Sequence, residues 1–214
     1  MMQVKTFYVN ELRECCYVVY DETQECVIVD PGLQTESEQQ RFVKFIDSNN
    51  LKPVKLICTH GHFDHIMGNA FITRTYNIKT YIHPEDKAQL ERAQQYCQMF
   101  GFSIEQPPYD TIDLQDGDKV TFGNSEFEVL HTPGHTRGGV CFYSLPDKLL
   151  LSGDTLFAAS IGRTDLPGGD YDALMESLKS KLCKLEPQTR VLPGHGPETT
   201  ILNEMKTNPF LRGE

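Results

Sequence analysis

The sequence lacks the features that would place a protein in a membrane or direct it out of the cell. No apolar run approaches the roughly 18 residues that a membrane-spanning helix needs. The N-terminus has neither the basic start nor the apolar core of a signal peptide. We therefore expect a cytoplasmic protein with no membrane partner.

Basic residues are scarce as well. The chain has 20 Lys and Arg against 30 Asp and Glu, a formal net charge of −10, and no stripe of clustered basic residues. Binding to nucleic-acid phosphates requires such a stripe, so we expect no nucleic-acid partner. An anionic small molecule is compatible with this composition, because bound divalent ions make a site locally positive. The oligomeric state is left open.

The cysteine pattern excludes two structural roles. No Cys-x-x-Cys pair is present to hold a structural zinc ion. The seven cysteines are an odd number, Cys15 and Cys16 are adjacent, and Cys26, Cys58 and Cys141 lie in apolar, strand-like segments. This pattern favours reduced, buried thiols over a disulfide framework.

Hydrophobic periodicity predicts a regular alternation of strands and helices. Strands are predicted at residues 3–9, 15–20, 25–30, 54–58, 80–82, 118–123, 126–131, 139–144, 148–153 and 190–193. Helices are predicted at residues 36–49, 66–76, 84–100, 171–185 and 199–208. The segment 101–117, with adjacent prolines, is expected to be a loop or hairpin.

These elements predict one domain over residues 1–214, built from two similar halves at about residues 1–100 and 118–200. A chain of 214 residues can bury about 70% of its unfolded surface, which is enough for a substantial core. Each half runs from strands through a helix to a strand that precedes a histidine. We therefore predict an α/β fold with two mixed β-sheets face to face and helices outside, a four-layer αββα sandwich.

The densest group of metal-binding side chains lies at residues 59–65, directly after a predicted buried strand. The segment reads Thr-His-Gly-His-Phe-Asp-His. Ligands collect at the carboxyl ends of strands in α/β folds, so the sequence predicts a metal-binding turn here. Further candidates stand downstream near strand ends and Gly- or Pro-containing turns: His135, Asp154 and His195. The alternatives are a solvated polar loop for the cluster and a capping role for Asp154.

These motifs resemble the signature of the metallo-β-lactamase superfamily, and more narrowly that of its glyoxalase II branch of thioester hydrolases. The supporting segments are residues 27–32 (Val-Ile-Val-Asp-Pro-Gly), 131–136 (His-Thr-Pro-Gly-His-Thr), 152–157 (Ser-Gly-Asp-Thr-Leu-Phe), 162–165 (Gly-Arg-Thr-Asp) and 193–196 (Pro-Gly-His-Gly). With the histidine cluster they cover about residues 3–200.

The resemblance implies two metal ions at one site. The implied ligands are His60, His62 and His135 for one ion, Asp64, His65 and His195 for the other, and Asp154 as the bridge. Two divalent ions would activate a water molecule for attack on an acyl carbonyl. Asp64 and Asp154 are the expected catalytic residues. Zinc is the first expectation, with iron and manganese open because sites of His and Asp accept all three.

Other residues of the motifs are expected to have supporting roles. Arg163 and Asp165 are the candidates for substrate binding, because a guanidinium can grip a carboxylate with two hydrogen bonds. An internal pair that holds the loop is the alternative. Asp30 is expected to accept hydrogen bonds from the ligand loop, while His83 and His131 are expected not to be ligands.

The resemblance predicts a small-molecule acyl thioester as the substrate, such as a hydroxyacylglutathione. Larger glyoxalase II enzymes carry a C-terminal helical domain that supplies much of the glutathione-binding surface, and no such domain follows His195 in this sequence. Glutathione itself is therefore not implied. The alternatives are a mononuclear-iron persulfide dioxygenase, which shares the Gly-Arg-Thr-Asp loop, and a hydrolase of another ester or amide. A β-lactamase is less expected, since lactamases with this ligand turn commonly have a cysteine at the position of Asp154.

Overall fold

The computed structural model describes residues 1–212 and contains two six-stranded sheets. The first sheet consists of β1 (Gln3–Val9), β2 (Glu14–Tyr20), β3 (Glu25–Val29), β4 (Lys52–Ile57), β5 (Thr80–Ile82) and β6 (Ile112–Asp113), in that order. The second consists of β7 (Lys119–Phe122), β8 (Ser125–His131), β9 (Val140–Ser144), β10 (Leu149–Gly153), β13 (Arg190–Pro193) and β14 (Thr199–Thr200). A separate hairpin pairs β11 (Leu156–Phe157) with β12 (Ser160–Ile161).

Both large sheets are mixed. In the first, β1, β2 and β3 form an antiparallel meander, and β4, β5 and β6 continue it in parallel. In the second, β10 and β13 are parallel and the other pairs are antiparallel. The spatial order is β14, β13, β10, β9, β8 and β7. The predicted fold class is confirmed.

Helices cover the outer faces of the two sheets. They are α1 (Glu36–Ser48), α2 (Phe63–Ile66), α3 (Asn69–Tyr76), α4 (Lys87–Glu91), α5 (Ala93–Met99), α6 (Tyr171–Ser180) and α7 (Ile201–Thr207), with 3₁₀ turns at Pro84–Asp86 and Leu182–Lys184. Among residues 1–212, no helix is long and apolar enough to cross a membrane.

Strand β2 shows how one sheet buries both of its faces. Side chains alternate between the two faces of a strand. Cys15, Tyr17 and Val19 pack into the core between the sheets, whereas Cys16 and Val18 pack into the core beneath the helices. A third core lies outside the second sheet, under α6 and α7. Three apolar cores between four layers follow directly from this alternation.

Several predicted elements are divided in the structure. The predicted helix 66–76 is interrupted at Gly68, whose N–H donates to the carbonyl of Pro31 at 2.7 Å instead of continuing a helix. The predicted helix 84–100 is a 3₁₀ turn followed by α4 and α5. The connecting segment 101–117 is mostly loop, but β6 within it pairs with β5 in parallel, so it is not a hairpin.

All seven cysteines are free thiols. Six are buried, and only Cys183 is partly accessible. Burial raises the pKa of Cys26 to about 12 and that of Cys141 to about 11. Cys26 and Cys141 are packing residues of the cores, as are Cys15, Cys16 and Cys58.

The fold brings the carboxyl ends of five strands to one edge of the sandwich. Asp30 follows β3, and the histidine cluster follows β4. In the second sheet, the loops after β8, β10 and β13 carry the downstream candidates. Backbone hydrogen bonds join the two sheets at this edge, from Cys15 N–H to Gly194 O and from Val140 N–H to Thr59 O, both at 2.8 Å.

Candidate metal centre

In the described part of the chain, three overlapping groups of side chains that could hold a metal converge at the shared edge of the sheets, and one of them, Asp30 with His60 and His65, shares its histidines with the other two. In each group the possible ligand atoms all lie within 4.8 Å of one another. The first group is His60, His62 and His135, and the second is Asp64, His65 and His195. All six are buried or partly buried, and they come from three separate loops.

Asp154 lies between the two groups. Its Oδ1 is 3.4 Å from Nε2 of His65, and its Oδ2 is 3.4 Å from Nε2 of His135. The same Oδ2 is 3.9 Å from Nε2 of His195. The Asp154 carboxylate is therefore within reach of both groups, a position from which it could bridge two ions.

The donor atoms at this centre fit a metal ion. Nε2 of His60, His65 and His135 and Oδ1 of Asp154 are buried, and no protein group forms a hydrogen bond with them. Burying such atoms without partners costs about 1–3 kcal/mol each. Here they face one small volume, and nitrogen and carboxylate donors are the usual ligands of zinc, iron and manganese.

Backbone carbonyls set the orientation of two imidazoles. Nδ1 of His135 lies 2.7 Å from the carbonyl of Arg163, and Nδ1 of His195 lies 3.2 Å from the carbonyl of Leu12. A carbonyl only accepts hydrogen bonds, so in both rings Nδ1 carries the proton. In His135 the lone pair of Nε2 then faces the centre, which is the tautomer a metal ligand needs, whereas Nε2 of His195 lies 3.2 Å from Oδ2 of Asp64.

Asp30 holds two further histidines from behind. Its Oδ2 lies 3.0 Å from Nδ1 of His65 and accepts a 2.5 Å hydrogen bond from the Thr59 hydroxyl. That hydroxyl in turn lies 3.0 Å from Nδ1 of His60. Asp30 also accepts from Thr59 N–H at 2.7 Å. Its oxygens are engaged on the outer side of the rings, in the supporting position expected from the sequence.

The electrostatic environment favours the ligand-competent forms of His62, Asp64 and Asp154, whereas the pKa values of His65 and His195 are raised because, although burial opposes their charge, neighbouring carboxylates favour it. Burial lowers the pKa of His62 to about 4, assisted by the neighbouring His135. Burial opposes charge on Asp64 and Asp154, but nearby His65 holds the pKa of both carboxyls below the usual range. Metal ligands must be neutral imidazoles and ionised carboxylates, and His62 and the two aspartates are in these forms at neutral pH.

Asp86 is a buried residue that supports two of the loops carrying the candidate ligands, and no sequence motif identified it. It accepts hydrogen bonds from Gly61 N–H at 2.9 Å, the Thr136 hydroxyl at 2.7 Å and Gly138 N–H at 2.8 Å. These donors belong to two different ligand loops, so Asp86 holds one loop against the other. The only sequence feature at this position is the segment Pro-Glu-Asp, which is typical of the exposed start of a helix.

Glu14 is a second missed residue. It is fully buried behind the centre, with Oε1 3.8 Å from Nδ1 of His65 and Oε2 accepting from Gly32 N–H at 3.3 Å. Burial raises its pKa well above the usual value. It begins an otherwise apolar strand, and no motif marks it.

His83 and His131 lie outside the ligand groups. Their rings stack with centroids 4.1 Å apart and planes inclined by 7°. Nδ1 of His83 accepts from Glu85 N–H at 3.3 Å, and Nε2 of His131 lies 2.9 Å from the carbonyl of Arg137. Both rings are engaged in local structure.

Arg163 and Asp165 form a bidentate pair on the loop above the centre. Nε and Nη2 of the guanidinium donate to the two carboxylate oxygens, both at 2.7 Å. This pair lowers the pKa of Asp165 to about 2. The internal pairing is therefore present, while the Arg163 side chain also lines the cavity over the centre.

That cavity has a volume of about 900 Å³ and opens to solvent above the ligand groups. Its lining includes His62, Asp64, Asp154 and other candidate metal ligands, and its walls are mainly apolar. A volume of this size accommodates a small organic molecule.

The protein is an αββα sandwich, and His and Asp side chains able to hold a metal cluster at the edge that its two sheets share. This combination of fold and site defines a class of metal-binding proteins. Residues 11–195 match the family model described as the metallo-beta-lactamase superfamily. This match covers most of the chain, and the chain belongs to the metallo-β-lactamase superfamily.

Some of the similar proteins have the names of hydrolases, and one similar structure contains a metal. The hydroxyacylglutathione hydrolase GloC of Haemophilus influenzae is 32% identical over 215 residues, covering 100% of both chains. The structure of the BLEG-1 B3 metallo-beta-lactamase is 36% identical, with a TM-score of 0.88, and covers 99% of this chain and 100% of that chain. The di-iron-bound structure of TTHA1623 is 39% identical, with a TM-score of 0.87, and covers 97% and 100%. The family and these names support a hydrolase.

Proposed function

We propose that the protein is a dinuclear metal-dependent hydrolase that cleaves a small acyl thioester. The observation that carries this proposal is the position of Asp154, whose two oxygens face the two ligand groups at 3.4 Å. A centre with a single ion would not need both oxygens or both groups.

In this proposal His60, His62 and His135 hold one ion, and Asp64, His65 and His195 hold the other. When bound, two divalent ions activate water and polarise a carbonyl oxygen. The remaining contributions come from the chain. The carbonyls of Arg163 and Leu12 keep the proton of His135 and His195 on Nδ1. Asp64 and Asp154, the proposed catalytic residues, supply negative charge that offsets the cations.

Zinc is the metal we propose first, because the donor set of imidazoles and carboxylates suits it. The di-iron form of TTHA1623 makes iron the alternative, and manganese accepts the same donors. Elemental analysis of protein purified without added metal distinguishes these metals.

A thioester is proposed because the name of GloC, whose full length aligns with this chain, describes cleavage of a hydroxyacylglutathione. We further propose that Arg163, positioned by Asp165, contacts the polar part of the substrate from the cavity wall. A guanidinium fixed by two hydrogen bonds loses little conformational entropy on contact with a substrate.

The test is hydrolysis of S-lactoylglutathione under anaerobic conditions. We expect turnover that does not depend on oxygen and that a chelator abolishes. A persulfide dioxygenase instead consumes oxygen, so iron-loaded protein is incubated with glutathione persulfide in an oxygen electrode. Oxygen uptake there, without thioester turnover in the first assay, contradicts the proposal.

Hydrolysis of a β-lactam is the second candidate, favoured by the 36% identity to BLEG-1 over nearly the full length of both chains. The same metal-loaded protein is assayed with a penicillin. A kcat/KM for the penicillin above that for every thioester would assign the site to amide rather than thioester cleavage.

A further inference from the structure

The cavity over the candidate metal centre has an apolar wall that the proposed hydrolytic chemistry does not use. On one side the wall is formed by Phe63, Met99, Phe100 and Phe102. Phe157 and Ile161 of the β11–β12 hairpin also line the cavity. Phe63 directly follows the ligand His62, so this surface begins at the centre itself.

Local backbone structure builds the aromatic side of the wall. Helix α5 ends with a turn in which Gly101 N–H donates to Gln98 O at 3.1 Å and Phe102 N–H donates to Cys97 O at 2.8 Å. This is a Schellman motif, which requires a residue with positive φ, and Gly101 has φ +82°. The reversal lets both Phe100 and Phe102 pack near the ring of Phe63.

The aromatic rings form an ordered surface. The rings of Phe63 and Phe100 are stacked, with centroids 5.1 Å apart and planes inclined by 16°. Phe102 lies 5.9 Å from Phe63 in a tilted arrangement. Phe100 is nevertheless 61% exposed and Met99 is 71% exposed. Neighbouring large apolar side chains exposed at the mouth of a cavity indicate a surface that a ligand covers.

The charges of the cavity argue against an anionic partner for this wall. Among the described residues that line it, Arg163 is the only Lys or Arg. Its guanidinium is already paired with both oxygens of Asp165. A glutathione thioester carries two carboxylates, and recognition of both would require further cations. No such cation lines the aromatic side.

We propose that the substrate of this site carries an apolar group, an alkyl chain or an aromatic ring, that packs against Phe63, Met99, Phe100 and Phe102 while its thioester lies over the metal ligands. This inference rests on the proposed thioester hydrolysis but not on glutathione as the thiol. The part of the substrate that covers this wall is thus apolar and uncharged, whatever polar group Arg163 contacts. Burial of each methylene group contributes about two- to fourfold to kcat/KM.

The experiment uses metal-loaded protein and two series of neutral thioesters. In one series the acyl group of an N-acetylcysteamine thioester grows from acetyl through butanoyl and hexanoyl to octanoyl. In the other, an acetyl group is attached to alkyl thiols of increasing length. We expect kcat/KM to rise about tenfold or more along at least one series. We also expect the longest member to exceed S-lactoylglutathione.

Variants locate the effect on the wall. Phe100→Ser and Met99→Ser change exposed side chains, so the fold should persist, and each should reduce the dependence on chain length. Phe210→Ser is the matched control, because Phe210 is 41% exposed and lies outside the cavity. The control should retain the wild-type dependence. The inference is overturned if kcat/KM does not change with chain length in either series. It is also overturned if kcat/KM changes with chain length equally in Phe100→Ser and in wild type.

Binding of a thioether separates this inference from the proposed hydrolysis. S-octyl-N-acetylcysteamine cannot be hydrolysed, and its dissociation constant is measured by calorimetry with wild type and Phe100→Ser. If no thioester is cleaved, the proposed function fails. Binding at least about fivefold weaker in the variant still supports the apolar wall. Equal binding, or none to wild type, overturns it.

Discussion

The hydroxyl of Thr136 donates a 2.7 Å hydrogen bond to the buried carboxylate of Asp86. The other donors to this carboxylate are the N–H groups of Gly61 and Gly138. Gly61 separates two metal-ligand candidates, and Thr136 follows a third. Asp86 therefore sets the distance between the loop after β4 and the loop after β8, although it touches no donor atom of the centre.

Asp86→Ala is expected to weaken metal binding by about tenfold or more, because it frees the two ligand loops from each other. Three buried donors would also lose their partner, which costs about 1–3 kcal/mol of stability for each donor. Metal affinity is measured by chelator competition at a temperature where the variant is folded.

Glu85→Gln is the control for this change. Glu85 neighbours Asp86 in sequence but is exposed. The control should bind metal like wild type. If Asp86→Ala lowers the melting temperature without changing the metal affinity, Asp86 is a packing residue and does not position the ligands.

Asp154→Asn is expected to reduce the metal content from about two ions per chain to about one, while the protein stays folded. A neutral amide has one oxygen acceptor and cannot offer two anionic oxygens to opposite groups. Elemental analysis and circular dichroism are the measurements.

Asp172→Asn, an exposed change in the first turn of α6, is the control. It should keep the wild-type metal content. Fully active wild-type protein with a single ion would remove the dinuclear proposal, whatever the variant shows.

Arg163→Ala is expected to raise KM for an anionic thioester several-fold with little change in kcat, the pattern of lost uniform binding. Arg190→Ala is the matched control, because Arg190 forms a comparable exposed ion pair with Glu198 away from the cavity. Steady-state kinetics with charged and neutral acyl substrates show whether Arg163 contacts the substrate.

A different result would show that Arg163 only stabilises its loop and does not contact the substrate. In that case the melting temperature falls, and kinetics for charged and neutral substrates change together. The Arg163 carbonyl is retained in the alanine variant, so the hydrogen bond to His135 is preserved in either case.

The carboxylate of Asp21, which is far from the metal centre, is expected to contribute to the stability of the fold in a way that depends on pH. It accepts hydrogen bonds from Thr23, from Asn124 N–H at 2.7 Å and from the Ser125 hydroxyl at 2.8 Å, and so joins the two sheets. Burial opposes its charge, but these bonds, led by Thr23, lower its pKa below the usual 3.8. A lowered pKa in the folded state gives stability that is present above the ordinary value and lost as the pH falls below it.

Asp21→Asn should therefore be less stable than wild type by about 1–2 kcal/mol at pH 7. The difference should shrink as the pH falls below about 4. Urea unfolding of both proteins across this range measures it, and Asp110→Asn, an exposed change, should show no such trend. If the difference in stability between the two proteins is constant with pH, the charge of Asp21 does not contribute to the stability of the fold.

Much of the architecture was predictable because it depends on local patterns. The alternation in β2 and the helical spacing of Phe42 and Ile46 in α1 are properties of neighbouring residues. Helix α1 also carries its own start signal, a capping box between Thr35 and Glu38. Interruptions were not predictable, because Gly68 breaks its helix through a contact with Pro31, distant in sequence.

The sequence by itself determined the family, most of the strands and helices, and the residue types that could ligate a metal, because these are carried by short motifs and periodicities. Only the tertiary structure decided how those residues act together. The position of Asp154 between two groups, the clamp formed by Asp86 and the burial of Glu14 depend on segments far apart in the chain. Hydrogen bonds and metal ligation act over about 2–3 Å, a precision that spacing along a sequence does not define.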